Sequence, residues 1–159
     1  EGLISENNGD QIYLSDKGSN ANNMQRTNSK DYGLSKKDKP SPQNWIDEDK
    51  IFVYKNKIII EVKNPQWAIF TDTKSMDPVI DSTSKAIEIA PESEADILVG
   101  DIVAYKSKYA DGIVTHRVIG IGQDEYGWYA RLKGDNNQYD DPERVRFEQI
   151  KSVVVAVIY

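Results

Sequence analysis

The chain has 159 residues, enough for one domain of ordinary size with some additional chain. Its 20 basic and 26 acidic side chains give a net charge of −6, which argues against a protein that tracks nucleic-acid phosphates. The absence of cysteine excludes disulfides, thiolate zinc sites and a cysteine nucleophile, and any histidine chemistry must use His116, the single histidine. No apolar run approaches the ~18 residues expected of a membrane-spanning helix.

Two regions differ in composition. Residues 1–44 are rich in Asn, Ser, Asp, Lys and Gly, and their scattered apolar side chains follow no sustained period. We expect this region to be a flexible stalk or tail, with at most a short strand at 11–14, because it offers little apolar surface to bury. Pro40 and Pro42 mark its end. Residues 45–159 are expected to form the folded domain.

Short β-branched segments separated by turn residues run through the folded region. A hairpin is predicted from two strands joined by a short polar turn. The predicted strands are 51–54, 58–62, 67–71, 86–90, 101–105, 112–121, 128–133 and 152–159. Single helical turns are predicted within 91–97 and 142–149. The pattern indicates a mostly-β domain, a barrel or a coiled sheet, with few short helices.

Three segments carry side chains suited to nucleophilic catalysis. Ser75 follows a predicted strand, and Pro78 biases Asp77 away from the helical region, so we expect the Ser75 hydroxyl to be exposed at a strand terminus. His116 lies within a β-branched run and therefore on a strand, and an acidic loop occupies 133–142. Taken singly, each has a structural interpretation: a turn serine, a satisfied histidine and a surface loop. The loop lacks the twelve-residue register of an EF-hand, so it is a poor calcium site.

Together the three segments contain the residue types of a nucleophile–base–acid triad, which is defined by geometry and not by chain order. Four segments follow one another along the chain: Ser75-Met76-Asp77-Pro78, Gly100-Asp101-Ile102-Val103, His116-Arg117-Val118, and Lys133-Gly134-Asp135-Asn136-Asn137 with Asp140-Asp141. They resemble the ordered sequence boxes of the type I signal peptidases, and are closest to the archaeal and endoplasmic-reticulum branch, which uses histidine where bacterial enzymes use lysine. The resemblance covers roughly residues 67–159.

The resemblance implies a coiled β-sheet or partly open β-barrel of the type shared by signal peptidases and LexA-like proteases. It implies that Ser75 is the nucleophile, His116 the general base and Asp141 the acid that orients the imidazole. Asp135 matches the first acid of the loop and is the supporting or alternative third member. Thr73 stands where the family usually has serine, and its hydroxyl is expected to complete an oxyanion hole with the Ser75 backbone N–H. No metal or cofactor is implied.

The resemblance therefore implies a serine endopeptidase that cleaves extended peptide segments, specifically the signal peptides of exported preproteins. It also implies a membrane anchor preceding Glu1, with the catalytic domain on the extracytoplasmic face and residues 1–44 as a stalk. Lys74 departs from the family, which commonly has glycine there, and this departure bears on substrate choice.

Two alternatives remain open at the level of sequence. A LexA-like self-cleaving regulator would use a lysine base, whereas the base position here matches His116, and the first 50 residues contain no recognisable helix-turn-helix. A catalytically degenerate domain would only bind peptides, and retention of all three triad residue types argues against it.

Overall fold

The computed structural model describes residues 39–159 in full, together with the backbone of two strands, Ile4–Asn7 and Gln11–Leu14. Most of the predicted tail, 1–44, lies outside the described residues, so its flexibility stays a prediction. The chain divides into two compact units. The first includes these two strands and Asp47–Glu61, and the second is the remainder of the described chain.

The first unit contains a four-stranded antiparallel sheet with its strands in chain order. The strands are β1 (Ile4–Asn7), β2 (Gln11–Leu14), β3 (Ile51–Tyr54) and β4 (Lys57–Ile60). Strands β3 and β4 form the predicted hairpin, in which Ile51 pairs with Ile60 and Tyr54 with Lys57 across a two-residue turn.

The second unit, Lys39–Ile46 with Val62–Tyr159, is built on a six-stranded antiparallel sheet. Its strands are β5 (Gln66–Ile69), β6 (Lys85–Ile89), β7 (Ile102–Lys106), β8 (Ile113–Asp124), β9 (Gly127–Lys133) and β10 (Ile150–Ile158). They lie in the order β5-β6-β10-β7-β8-β9, so the final strand is central and β5 is an edge. The mostly-β class expected from the sequence is confirmed, and the sheets are open, uncurled and antiparallel.

Both faces of the central strand are covered, which explains its dense Val and Ile content. Val153 and Val154 are adjacent on β10 and point to opposite faces, where each joins a separate apolar cluster. The larger cluster consists of Ile97, Val103, Tyr105, Val118, Ala130, Leu132, Val145, Ile150 and Val153. The smaller consists of Met76, Ile80, Ala86, Ile102 and Val154.

Within the second unit, a buried carboxylate binds the 39–46 segment to the rest of the unit. Asp101 is fully buried and accepts hydrogen bonds from the Gln43 backbone N–H at 3.1 Å, the Gln43 side-chain amide at 2.8 Å and the Trp45 indole at 3.1 Å. The backbone N–H of Leu98 donates to it as well, at 2.9 Å. Residues 39–44, which the sequence places in the tail, thus pack with the folded second unit, while the division at 44/45 as a whole stays a prediction.

Helical structure in the described part of the chain is limited to three 3₁₀ turns, Glu48–Lys50, Glu94–Asp96 and Phe147–Gln149. The last two lie within the segments for which single helical turns are predicted. Among the residues described, no helix has the length and apolar character needed to cross a membrane.

Candidate active site

The structure brings Ser75, His116 and Asp141 together, although 41 and 25 residues separate them along the chain. Ser75 Oγ lies 3.1 Å from His116 Nε2. On the other side of the ring, His116 Nδ1 lies 2.9 and 2.8 Å from the two carboxylate oxygens of Asp141. An ionised carboxylate can only accept, so Nδ1 carries the ring proton and Nε2 is free to accept from the serine hydroxyl. A hydroxyl, an imidazole and a carboxylate thus form one continuous hydrogen-bonded series.

The register between β7 and β8 determines the position of His116. His116 pairs with Val103 of β7, and its side chain is only 9% exposed. Val103 belongs to the larger apolar cluster, so the imidazole lies beside a packed wall that restricts its rotamers. Asp141 reaches the ring because the loop after β9 turns back, and its backbone N–H donates to the carbonyl of Leu132 at 2.8 Å.

A tyrosine that the sequence analysis missed completes this series. The Tyr105 hydroxyl donates to Asp141 Oδ2 at 2.9 Å, and Tyr105 is 2% exposed. Burial raises the pKa of the Tyr105 hydroxyl far above its ordinary value, and the nearby Asp141 charge raises it further. The hydroxyl therefore stays protonated, and Asp141 is held by two donors, Tyr105 and His116. No local sequence signal identifies Tyr105, because the contact joins residues 36 apart through the register of the sheet.

The serine lies on a tight turn with an uncommon backbone conformation. Lys74 has φ of +58°, a left-handed conformation that costs a non-glycine residue about 1 kcal/mol. A glycine would adopt this conformation without that cost. The loop after β9 stabilises the turn, because the Asn136 side-chain amide donates to the carbonyl of Lys74 at 3.0 Å and its backbone N–H donates to that of Ser75 at 2.8 Å.

Thr73 lies next to the serine hydroxyl. Thr73 Oγ1 is 3.1 Å from Ser75 Oγ, and the Ser75 backbone N–H donates to Thr73 Oγ1 at 3.5 Å. The two groups that the sequence assigns to an oxyanion hole are therefore adjacent, and in this structure they face each other. The N–H···O contact is long and weak, so a stronger acceptor placed between the two groups would replace it readily.

Asp135 lies elsewhere in the loop and has a different partner. Its carboxylate accepts two hydrogen bonds from the Arg117 guanidinium, at 2.8 and 2.7 Å, and both side chains are at least nine-tenths buried. Arg117 also donates to the carbonyls of Gly100 and Pro40, at 2.9 and 3.1 Å. This buried ion pair joins the loop to β8 and to the 39–46 segment. Asp135 is thus placed to hold the loop, and Asp141 is the acid that contacts His116.

A cleft of about 490 Å³ opens beside Ser75 and His116. Its walls are mostly apolar and include Ala68, Phe70, Met76, Ile80, Ala104 and Val114. Three charged side chains also line it: Lys74, Glu88 and Asp111. The described residues contain no cluster of three His, Asp or Glu side chains able to hold a metal ion. The cleft can admit an extended chain to the serine hydroxyl, since it runs from the β5 residues to those of β8.

Comparisons of the chain with family models, with curated proteins and with solved structures found no match.

Proposed function

We propose that the protein is a serine endopeptidase of the signal-peptidase type. The observation that carries the proposal is the hydrogen-bonded series Ser75–His116–Asp141, whose members lie in contact at 2.8–3.1 Å and open onto a cleft. Nucleophile, base and orienting acid at hydrogen-bond distance are the geometric requirements for acyl transfer by serine. The sequence resemblance, whose segments contain these same three residues, implies the same reaction.

The reaction follows from the proton positions. Ser75 Oγ attacks the scissile carbonyl carbon while His116 Nε2 takes the hydroxyl proton, and the imidazolium then gives this proton to the leaving amine as the C–N bond breaks. Water next attacks the acyl-serine ester, with His116 as base. The carboxylic acid product is released and the Ser75 hydroxyl is restored. Asp141 keeps the ring proton on Nδ1 and stabilises the imidazolium in both steps.

The substrate is proposed to be an extended peptide that adds beside β5. This strand is an edge of the six-stranded sheet, and its residues Ala68 and Ile69 line the cleft. An unpaired strand edge supplies backbone hydrogen bonds to an added chain irrespective of sequence. By resemblance, the substrates are signal peptides of exported preproteins, and the enzyme is membrane-anchored with its catalytic domain on the extracytoplasmic face.

A labelled fluorophosphonate tests the proposal directly. Wild-type protein should be labelled, and Ser75→Ala should not, because the probe phosphonylates only an activated serine. A matched control is Ser82→Ala, which removes an exposed serine away from the series and should be labelled as the wild type is. Wild-type protein that stays unlabelled yet binds peptides would instead be a degenerate peptide-binding domain. Cleavage of the chain by itself at a rate independent of concentration would instead indicate a LexA-like regulator.

Removing the tyrosine hydroxyl should slow the reaction without weakening substrate binding. We expect Tyr105→Phe to lower kcat about tenfold with KM unchanged, because one charge-assisted hydrogen bond to Asp141 is lost. Steady-state kinetics and the NMR resonance of the His116 Nδ1 proton report the effect separately from stability. Tyr109→Phe, at an exposed tyrosine, is the control. A normal kcat and an unshifted resonance in Tyr105→Phe would contradict the positioning role.

Removing the Thr73 hydroxyl should lower turnover more than removing the Tyr105 hydroxyl does. We expect Thr73→Val to reduce kcat by roughly 10²–10³, the usual effect of deleting one oxyanion donor, with a modest change in KM. Thr73→Ser keeps the hydroxyl and should retain most activity. If Thr73→Val and Thr73→Ser lose activity equally, shape and not hydrogen bonding explains the loss, and the oxyanion assignment is wrong.

A further inference from the structure

Glu88 places a carboxylate in the wall of the cleft. It lies on β6, is 7% exposed and lines the same cleft as Ser75. Its cross-strand neighbours are Gln66 on the edge strand β5 and Val154 on the central strand β10. Glutamate is rarely this buried unless a partner neutralises or satisfies it. A carboxylate at this position is therefore expected to bind a hydrogen-bond donor or a positive charge.

Within the described part of the chain, the Glu88 carboxylate accepts one side-chain hydrogen bond, and only one of its two oxygens takes part. The Ser152 hydroxyl donates to Glu88 Oε2 at 2.5 Å. No described basic side chain forms an ion pair with Glu88. An ionised carboxylate offers about four acceptor sites, and a hydroxyl occupies one. Glu88 Oε1 has no partner among the described residues and is not closed off from the cleft, so it can accept a hydrogen bond from a group that enters there.

The surroundings of Glu88 would strengthen an interaction with a cation. The nearby cleft walls contain the small apolar side chains of Ala68 on β5 and Ala104 on β7, which leave room for a ligand group. An apolar wall screens charge poorly, so a hydrogen bond from a cation to a carboxylate there is stronger than one in water. The other carboxylate that lines the cleft, Asp111, is exposed and is screened by solvent.

We propose that Glu88 forms a cation-recognising subsite, which accepts hydrogen bonds from the ammonium or guanidinium group of a Lys or Arg side chain in the bound peptide. The inference rests on the proposed peptidase function and specifies its substrate class. Glu88 lies opposite Gln66, at the start of β5, whereas Ser75 follows the end of that strand. An extended peptide rises about 3.3 Å per residue, so the basic side chain lies several residues from the scissile bond.

A positional scan tests the subsite. A neutral peptide that the wild-type protein cleaves is synthesised with Lys, norleucine or Gln at each position in turn, and kcat/KM is measured. At one position Lys should exceed norleucine by about tenfold, since a charge-assisted hydrogen bond is worth roughly that factor, and Gln should fall between them. Glu88→Gln should remove most of this preference. The control Asp111→Asn removes the exposed carboxylate of the same cleft and should retain it.

Each other outcome overturns a defined part of the proposal. A scan with no position favouring Lys refutes the subsite, and it does so with the wild-type protein even if Glu88→Gln fails to fold. Equal loss of preference in Glu88→Gln and Asp111→Asn assigns the effect to the general charge of the cleft and refutes the role of Glu88. If the wild-type protein cleaves no peptide, the proposed function fails instead. The subsite is then tested by the fluorescence anisotropy of labelled peptides with the Ser75→Ala protein. Tighter binding of the Lys peptide than of the norleucine peptide supports the subsite, and equal binding refutes it.

Discussion

Replacement of Ser75 or His116 by alanine should each remove nearly all peptidase activity, a loss on the order of 10⁴-fold or more in kcat. In the proposed mechanism a proton passes between these two side chains, whose Oγ and Nε2 atoms lie 3.1 Å apart, so neither acts without the other. The double variant Ser75→Ala/His116→Ala should therefore be little worse than either single variant. Single-turnover and steady-state assays on one peptide measure all three.

The melting temperatures of these alanine variants are the control for their loss of activity. Ser75 is partly exposed on a turn, so Ser75→Ala should melt close to the wild-type temperature. Losses that add in the double variant would show that Ser75 and His116 act independently. A fully active His116→Ala variant would transfer the role of base to another side chain and refute the proposed mechanism.

The two acids of the loop after β9 should separate into an activity effect and a stability effect. Asp141→Asn should lower kcat on the order of 10⁴-fold with a small change in melting temperature, because an amide no longer holds the His116 Nδ1 proton in place. Asp135→Asn should instead destabilise the fold by about 3 kcal/mol, since it leaves the buried Arg117 guanidinium without an opposite charge.

Both variants are compared by kinetics well below their melting temperatures and by thermal unfolding. Some loss of turnover is expected in Asp135→Asn, because the neighbouring Asn136 holds the Ser75 turn. The reverse result, with Asp135→Asn inactive at an unchanged melting temperature and Asp141→Asn active, would exchange the two assignments.

Local sequence pattern determined the strands of this protein. Alternating or continuous β-branched segments bounded by Gly, Pro, Asn and Asp predicted the hairpin of β3 and β4 and the six strands of the second unit, with ends displaced by at most three residues. These features are local, because backbone preferences and the period of side-chain burial act over a few residues. The two 3₁₀ turns near Glu94 and Phe147 followed from the same local signals.

Sheet order was decided by tertiary structure. Nothing in the sequence placed β10 between β6 and β7, yet this insertion sets Glu88 of β6 against Ser152 of β10. The packing of 39–44 with the second unit was likewise missed, because it depends on the buried carboxylate of Asp101, 58 residues from Gln43. Such pairings minimise exposed apolar surface and unsatisfied polar groups over the whole fold.

In the candidate site, too, some features followed from the sequence and others only from the tertiary structure. The sequence supplied the residue types and, through resemblance, the choice of Ser75, His116 and Asp141. Which acid of the loop contacts His116, and that Tyr105 contacts the same acid, depended on the register of β7 with β8 and on the return of the loop to Leu132. A hydrogen bond between side chains requires positions fixed to a few tenths of an ångström, and only packed strands and buried ion pairs fix them that closely.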